Sequence, residues 1–270
     1  MKYDYIIVGA GSAGCVIANR LSEDPSTQVL LIEAGGSDRR FFIQMPIGYG
    51  VTYHQKAVNW MYMTEPSPDA DNKPSYWPRG KVMGGSSSIN AMVYVRGSSR
   101  DFDQWSEAGN PGWSYSDVLP YFKKMESWQN GPDDYRGGDG PLNVSEVSRQ
   151  LHPLCQNFLS AAQEIGIVLN KDMNGATQEG VGNYQITTHK GQRMSSSRAY
   201  LWPIIGRTNL TIIKNAQATK ILTQDKKAFG IEYKKSGKIH QAIAKCEVIL
   251  SAGSINTPHL LQLSGIGPKA

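Results

Sequence analysis

Tyr3-Asp4-Tyr5-Ile6-Ile7-Val8-Gly9-Ala10-Gly11-Ser12-Ala13-Gly14-Cys15-Val16-Ile17-Ala18-Asn19-Arg20 decides the reading of this chain, because it joins a buried-strand pattern to a glycine turn and a helix start. Tyr5 to Val8 is the short, β-branched apolar run that a parallel strand covered on both faces requires. Gly9, Gly11 and Gly14 follow as G-x-G-x-x-G: the first allows a tight turn, the second lets a diphosphate approach the backbone, and the third lets helix pack on strand. Ser12 and Ala13 open the helix, whose free N–H groups and positive dipole end suit an anion. By themselves such glycines mark a plain tight turn as readily as a ligand site.

The following residues favour the ligand. Asp24-Pro25 ends the helix, and Gln28-Val29-Leu30-Leu31-Ile32 reads as a second strand ending at Glu33, with Ala34 beside it. Glu33 stands about 20 residues past the glycines, where a carboxylate accepts hydrogen bonds from a ribose hydroxyl. A solvated strand end is the structural alternative for it.

Length and composition bound the rest. A chain of 270 residues with 40% hydrophobic content holds one large domain or two ordinary ones. The net charge of +5 raises nucleic acid as a partner, but the basic residues are scattered, in pairs such as Lys123-Lys124 and Lys234-Lys235, as solvated faces are. No nucleic-acid partner is expected. No apolar run is long enough to span a bilayer and no leader pattern opens the sequence, so the expected location is cytoplasmic, with the periphery of a membrane as the other choice. Cys15, Cys155 and Cys246 lack C-x-x-C spacing, and the five histidines form no H-x-x-x-H cluster, so neither a disulfide framework nor a metal site is expected.

Further along, Phe41 to Pro78 is rich in aromatics, Pro and Asn and poor in periodicity, which is expected of a segment that covers a ligand. Gly84-Gly85-Ser86-Ser87-Ser88 reads as a turn opening a helix with hydroxyls at its N-terminus. Ser99 and Ser114 stand as N-caps of short helices, and Leu151 to Ile165 reads as an amphipathic helix carrying Leu154, Phe158, Ala161, Ala162 and Ile165. After Asn209, four β-branched runs (210–214, 218–222, 228–233 and 245–251) are expected to join the first sheet and form a meander beside it. Ser251-Ala252-Gly253-Ser254 is a further strand-to-helix turn where a ligand can approach closely.

Three glycine segments together resemble the glucose-methanol-choline (GMC) flavoprotein oxidoreductases, most closely their choline dehydrogenase-like branch. They are Gly9-x-Gly11-x-x-Gly14 with Glu33; Gly80-Lys81-Val82-Met83-Gly84-Gly85-Ser86-Ser87-Ser88-Ile89-Asn90; and Gly253-Ser254-Ile255-Asn256-Thr257-Pro258-His259 through Gly267. The first is common to many proteins, and the other two are specific to the family. The resemblance implies an α/β fold: a Rossmann-like FAD-binding domain from 1–145 and 203–270, with 146–202 as the first segment of an α+β substrate domain. It implies FAD, with Gly9, Gly11, Ser12, Ala13, Gly14, Glu33 and Ala34 on the ADP half and the backbone of Ala218 near the adenine. Val82, Gly84, Gly85, Ser86, Asn90, Ala91, Met92 and Val93 would follow the flavin and its ribityl-diphosphate chain, and Ala252 and Gly253 would border the cofactor.

The implied reaction is oxidation of a primary alcohol, with hydride passing to the flavin and on to oxygen or a quinone-type acceptor. The family's catalytic histidine matches none of the five here, and His259 reads as a structural helix residue, so no catalytic residue is assigned and the base is expected in a C-terminal part beyond Ala270. The alternatives are a non-catalytic flavin-binding module completed by a partner chain, and an NAD-dependent enzyme, which the second and third glycine segments disfavour. Some relatives attach flavin through a histidine just before the asparagine, where this chain has Ile89. The flavin is therefore expected to be non-covalent: acid precipitation should leave the protein pellet colourless and the flavin in the supernatant.

Overall fold

The computed structural model describes residues 2–268, with the side chain of Arg149 excepted, so the expected segment 203–270 runs two residues past the described ones. The chain divides into two compact units, Met1–Ala91 with Ser195–Ala270, and Met92–Met194.

The first unit is built on a six-stranded sheet. Its strands are β1 (Lys2–Val8), β2 (Val29–Ile32), β3 (Leu210–Ile213), β4 (Ala216–Gln224), β5 (Lys227–Lys235) and β6 (Lys238–Leu250), in the order β3-β2-β1-β6-β5-β4. β3, β2, β1 and β6 run parallel, and β5 and β4 are added antiparallel, as the expected meander. All four residues of β2 are buried, which is why Val-Leu-Leu-Ile shows no alternation. Helix α1 (Ser12–Leu21) follows β1 and presents Gly14, Cys15 and Ala18 to the interior. Ile6, Val8, Leu30, Ile32, Ile221, Ile231 and Leu260 form the main core.

Two of the expected helix starts differ. Gly85–Ser88 is a four-residue 3-10 turn and does not open a helix. Gly84 and Gly85 both take left-handed φ values, +86° and +56°, and the Ser87 and Ser88 hydroxyls donate to the carbonyls of Gly84 and Met83, which satisfies the backbone without a longer helix. The next helix, α2 (Ser99–Glu107), is capped by Ser98 rather than Ser99, in a capping box with Asp101. Ser114 does cap α3 (Tyr115–Met125), with Asp117 reciprocating.

The amphipathic helix is shorter, α4 (Leu154–Glu164), and its inward face is Leu159 and Ala162. Leu154, Phe158 and Ile165 are exposed instead. The stretch 41–78 holds the short helices Phe41–Gln44 and Tyr49–Thr52 and an antiparallel pair of Tyr62–Met63 with Tyr76–Trp77. The last helix, α5 (Gly253–Leu263), follows β6 as α1 follows β1.

The unit boundaries fall at 91/92 and 194/195, away from the expected 145/146 and 202/203, because 92–145 packs with 146–194. Val93–Tyr94 pairs with Gln185–Ile186. Beside them, the fully buried Glu126 carboxylate takes a 2.6 Å bond from Arg136 and a 2.8 Å bond from Arg96. Arg136 also binds Asp172 at 2.7 Å and Gln185 at 2.9 Å, with its guanidinium 4.2 Å over Trp128. In the same way 195–202 joins the first unit, where Asn19 donates to the Tyr200 carbonyl at 2.7 Å.

Among the described residues no helix is long and apolar enough to cross a membrane, and no cluster of His, Cys, Asp and Glu could hold a metal ion. Removing one partner of a buried pair strands the other's charge, at about 3–5 kcal/mol. Glu126→Ala should lower stability by about that amount; urea unfolding followed by tryptophan fluorescence measures it.

Candidate functional site

A cavity of about 720 Å³ opens in the first unit, at the C-terminal ends of β1, β2 and β6, and lies in the range of ligand-sized pockets. Parallel sheets bind ligands at this end because the following helices start there with their N–H groups free. Helices α1 and α5 both begin at its wall, at Gly11-Ser12-Ala13 and at Ala252-Gly253-Ser254. Their N-cap residues, Gly11 and Ala252, offer no side-chain acceptor to the first turn. Their first N–H groups and dipole ends are therefore available to an anion.

Contact distances give each glycine of the turn its task. A Cβ on Gly14 would lie 1.9 Å from the Gly9 carbonyl oxygen, and one on Gly9, at φ +97°, would lie 2.5 Å from that of Ser251. These two let α1 and β6 close on the turn. A Cβ on Gly11 would meet only Ser251 O, at 3.8 Å, so this position is open. Gly85 brings the second glycine segment in, since its Cβ would fall 2.7 Å from the Cα of Gly11.

Glu33 lines the cavity with its carboxylate held by two backbone donors, Ala10 N–H at 2.9 Å and Gly35 N–H at 2.8 Å. It is not a solvated strand end, being 6% exposed. Desolvation pushes its pKa up from 4.5 to about 6, against the pull of those two bonds and of Lys81. Cys15, buried behind the turn, has its thiol pushed up by desolvation and donates to Ala10 O at 3.2 Å, an unreactive arrangement.

Of the residues singled out in the sequence, Gly9, Gly11, Ser12, Ala13, Glu33, Ala34, Gly85, Ser86, Ala218, Ala252 and Gly253 line this one cavity. Gly14 packs helix on strand. Val82 is in a separate buried cluster with Ile43, Val58 and Ile89. Gly84 donates its N–H to Ala10 O at 2.7 Å, behind the wall. Asn90 and Ala91 are exposed at the end of the first unit, and Met92 and Val93 belong to the second.

The cavity also gathers residues that sequence reasoning missed, among them Trp60, Arg79, Gly80, Gln217, Asn256 and His259. His259 stands at the wall rather than inside the helix packing. Trp60 is the residue of the aromatic stretch 41–78 that reaches the cavity, and its neighbour Tyr62 donates to Asn256 Oδ1 at 2.5 Å, tying that stretch to α5. Trp60 and Arg79 lie in or beside a stretch without periodicity, which gave no signal for them, and Gly80, Asn256 and His259 were read for the segments they belong to and not as cavity residues.

The family model described as GMC oxidoreductase matches residues 3–270. The chain is 50% identical to the oxygen-dependent choline dehydrogenase of Photobacterium profundum, over 99% of this chain and 47% of that protein. It is 49% identical to an alcohol dehydrogenase [acceptor] of Pseudomonas putida, over 99% of this chain and 49% of that protein. Among solved structures, pyridoxine 4-oxidase from Mesorbium loti superposes with a TM-score of 0.94 at 32% identity, over 98% of this chain and 52% of that one. Aspergillus oryzae formate oxidase superposes with a TM-score of 0.88 at 30% identity, over 99% and 48%. The chain thus spans about half the length of the relatives it matches.

The raised Glu33 carboxyl has a readable consequence. Between pH 4.5 and about 6 the folded chain keeps a proton that the unfolded chain has released, so stability should fall as pH rises through that window and level off above it. A profile of melting temperature against pH should lose this descent in Glu33→Gln.

Proposed function

Since the chain belongs to the GMC oxidoreductases, we propose that its cavity holds FAD non-covalently and that it is the cofactor-binding portion of an FAD-dependent oxidoreductase acting on the CH–OH group of a primary alcohol. Choline is the substrate class that the relatives' names suggest. The observation that carries this reading is the open face of Gly11 at the start of α1, with the Glu33 carboxylate on the same cavity wall.

The residues present suit the group. The N–H groups at Ser12 and Ala13 fit a diphosphate, the Glu33 carboxylate fits a ribose diol as acceptor, and the β4 backbone at Ala218 fits an adenine edge. Gly85 and Ser86 continue the wall from Gly11. In this reading the first unit binds, and 92–194 belongs with the alcohol side of the protein.

FAD, when bound, supplies the acceptor for the hydride leaving the alcohol carbon. This chain's part is orientation and electrostatics. Glu33, with its pKa near 6, is ionised at neutral pH and so accepts from hydroxyl groups without donating. The two helix starts offset the cofactor's negative charge. The proton-accepting base is assigned to the part of the family's length that this chain does not span. Oxygen or a quinone-type carrier takes the electrons, and the location is the cytoplasm or the face of a membrane.

The test is flavin retention. After incubation with FAD and gel filtration, the chain should carry about one flavin, released by excess ADP; a chain that retains none and ignores ADP overturns the reading. Gly11→Ala sharpens it, because a Cβ there meets no protein atom closer than 3.8 Å. Its melting temperature should stay within a few degrees of wild type while FAD affinity falls at least about tenfold, or ~1.4 kcal/mol. Gly14→Ala should instead lower stability by about 1–3 kcal/mol, through the clash with Gly9 O.

A further inference from the structure

We propose that Arg79 is a ligand of the cofactor's diphosphate, supplying the full positive charge that the α1 terminus by itself lacks; this rests on the cofactor reading above. Its placement follows from a stack of glycines. A Cβ on Gly80 would lie 2.2 Å from the Gly85 carbonyl, and one on Gly85 would lie 2.7 Å from the Gly11 Cα. The backbone at Gly80 is therefore pressed against Gly85, and Gly85 against the residue where the diphosphate is expected. Arg79, the neighbour of Gly80, lines the same cavity.

The Arg79 backbone is held on both sides. Its N–H donates to Asn59 Oδ1 at 3.0 Å, its carbonyl accepts from Trp60 N–H at 2.8 Å, and Gly80 N–H donates to Ser86 Oγ at 3.1 Å. The guanidinium rests 5.1 Å over the Trp77 ring and gives Nη1 to the Pro78 carbonyl at 2.8 Å. Among the described residues it pairs with no carboxylate. A guanidinium has five N–H donors in a planar fork suited to phosphate, and this one uses a single donor on a neighbouring carbonyl.

The other cation nearby is otherwise engaged. Lys81 stands 4.4 Å over the Trp60 ring and acts on Glu33, the ribose-side acid. The wall thus has one acid offset by Lys81 and one half-buried arginine without a counter-charge. A diphosphate between α1 and Arg79 would give that arginine its counter-charge.

The experiment compares ADP with adenosine by calorimetric titration of the 270-residue chain, its Arg79→Gln variant and its Arg79→Lys variant. Arg79→Gln should weaken ADP about tenfold to a hundredfold and leave adenosine within about twofold, with Arg79→Lys recovering part of the loss. Raising the salt should narrow the ADP gap between wild type and Arg79→Gln, as screening of a charge contact requires. Equal losses for ADP and adenosine, or a gap indifferent to salt, would mean that Arg79 only supports the wall and would overturn the assignment. An undiminished ADP affinity in Arg79→Gln would do the same and leave the cofactor reading standing. A wild-type chain that binds no ADP overturns both.

Discussion

Direct approach of one backbone to another is the constraint on which the first unit depends. Gly14 against the Gly9 carbonyl, Gly9 against that of Ser251, and Gly85 against Gly11 are contacts that no Cβ could share. They draw three separated parts of the chain, β1 with α1, the end of β6 and the segment before Asn90, to one point. Because side chains are missing there, the free N–H groups of two helix starts face a cavity instead of a packed core. Gly11 alone of the turn glycines has space in front of it, which makes it the position where binding and folding can be separated.

Two buried glutamates illustrate how context sets the role of one side chain. Glu126 is fully buried between Arg96 and Arg136, and its charge is matched inside the second unit. Glu33 is buried to nearly the same degree but is held by backbone N–H groups, with Lys81 acting from a distance. Two hydrogen bonds do not offset the lost hydration, so its pKa rises. Glu126 anchors Arg136, which reaches Asp172 and Gln185 and so joins 92–145 to 146–194, whereas Glu33 stands at a cavity wall.

The cavity has a polar wall of backbone groups and an aromatic and cationic wall from the 60–80 region. Trp60 lies beneath Lys81 and beside Tyr62, whose hydroxyl reaches Asn256 on α5. The irregular stretch is thereby fixed with no more than a two-residue strand pair and short helices, through side-chain bonds such as Asn59 to the Tyr53 carbonyl and to Tyr76. Such bonds satisfy the backbone and side chains of an aperiodic segment one by one.

Local chemistry explains what could be read from the residues alone. The strand β1, the turn, α1 and β2 are each specified within a few residues by apolar runs and glycine spacing, and the eleven foreseen residues that line the cavity lie on such motifs or beside them. The late strands were also legible, because β-branched runs between turns pair with whatever edge is adjacent. Trp60, Arg79 and Asn256 were not, since their meeting depends on glycine contacts between segments distant in sequence. The unit boundary at 91/92 was likewise decided by a largely buried network of three ion pairs among Arg96, Glu126, Arg136 and Asp172, and the inward face of α4 by which apolar stripe found neighbours. Sequence determines a local conformation where the nearest residues settle it; burial, and with it charge and contact, is a property of the assembled fold.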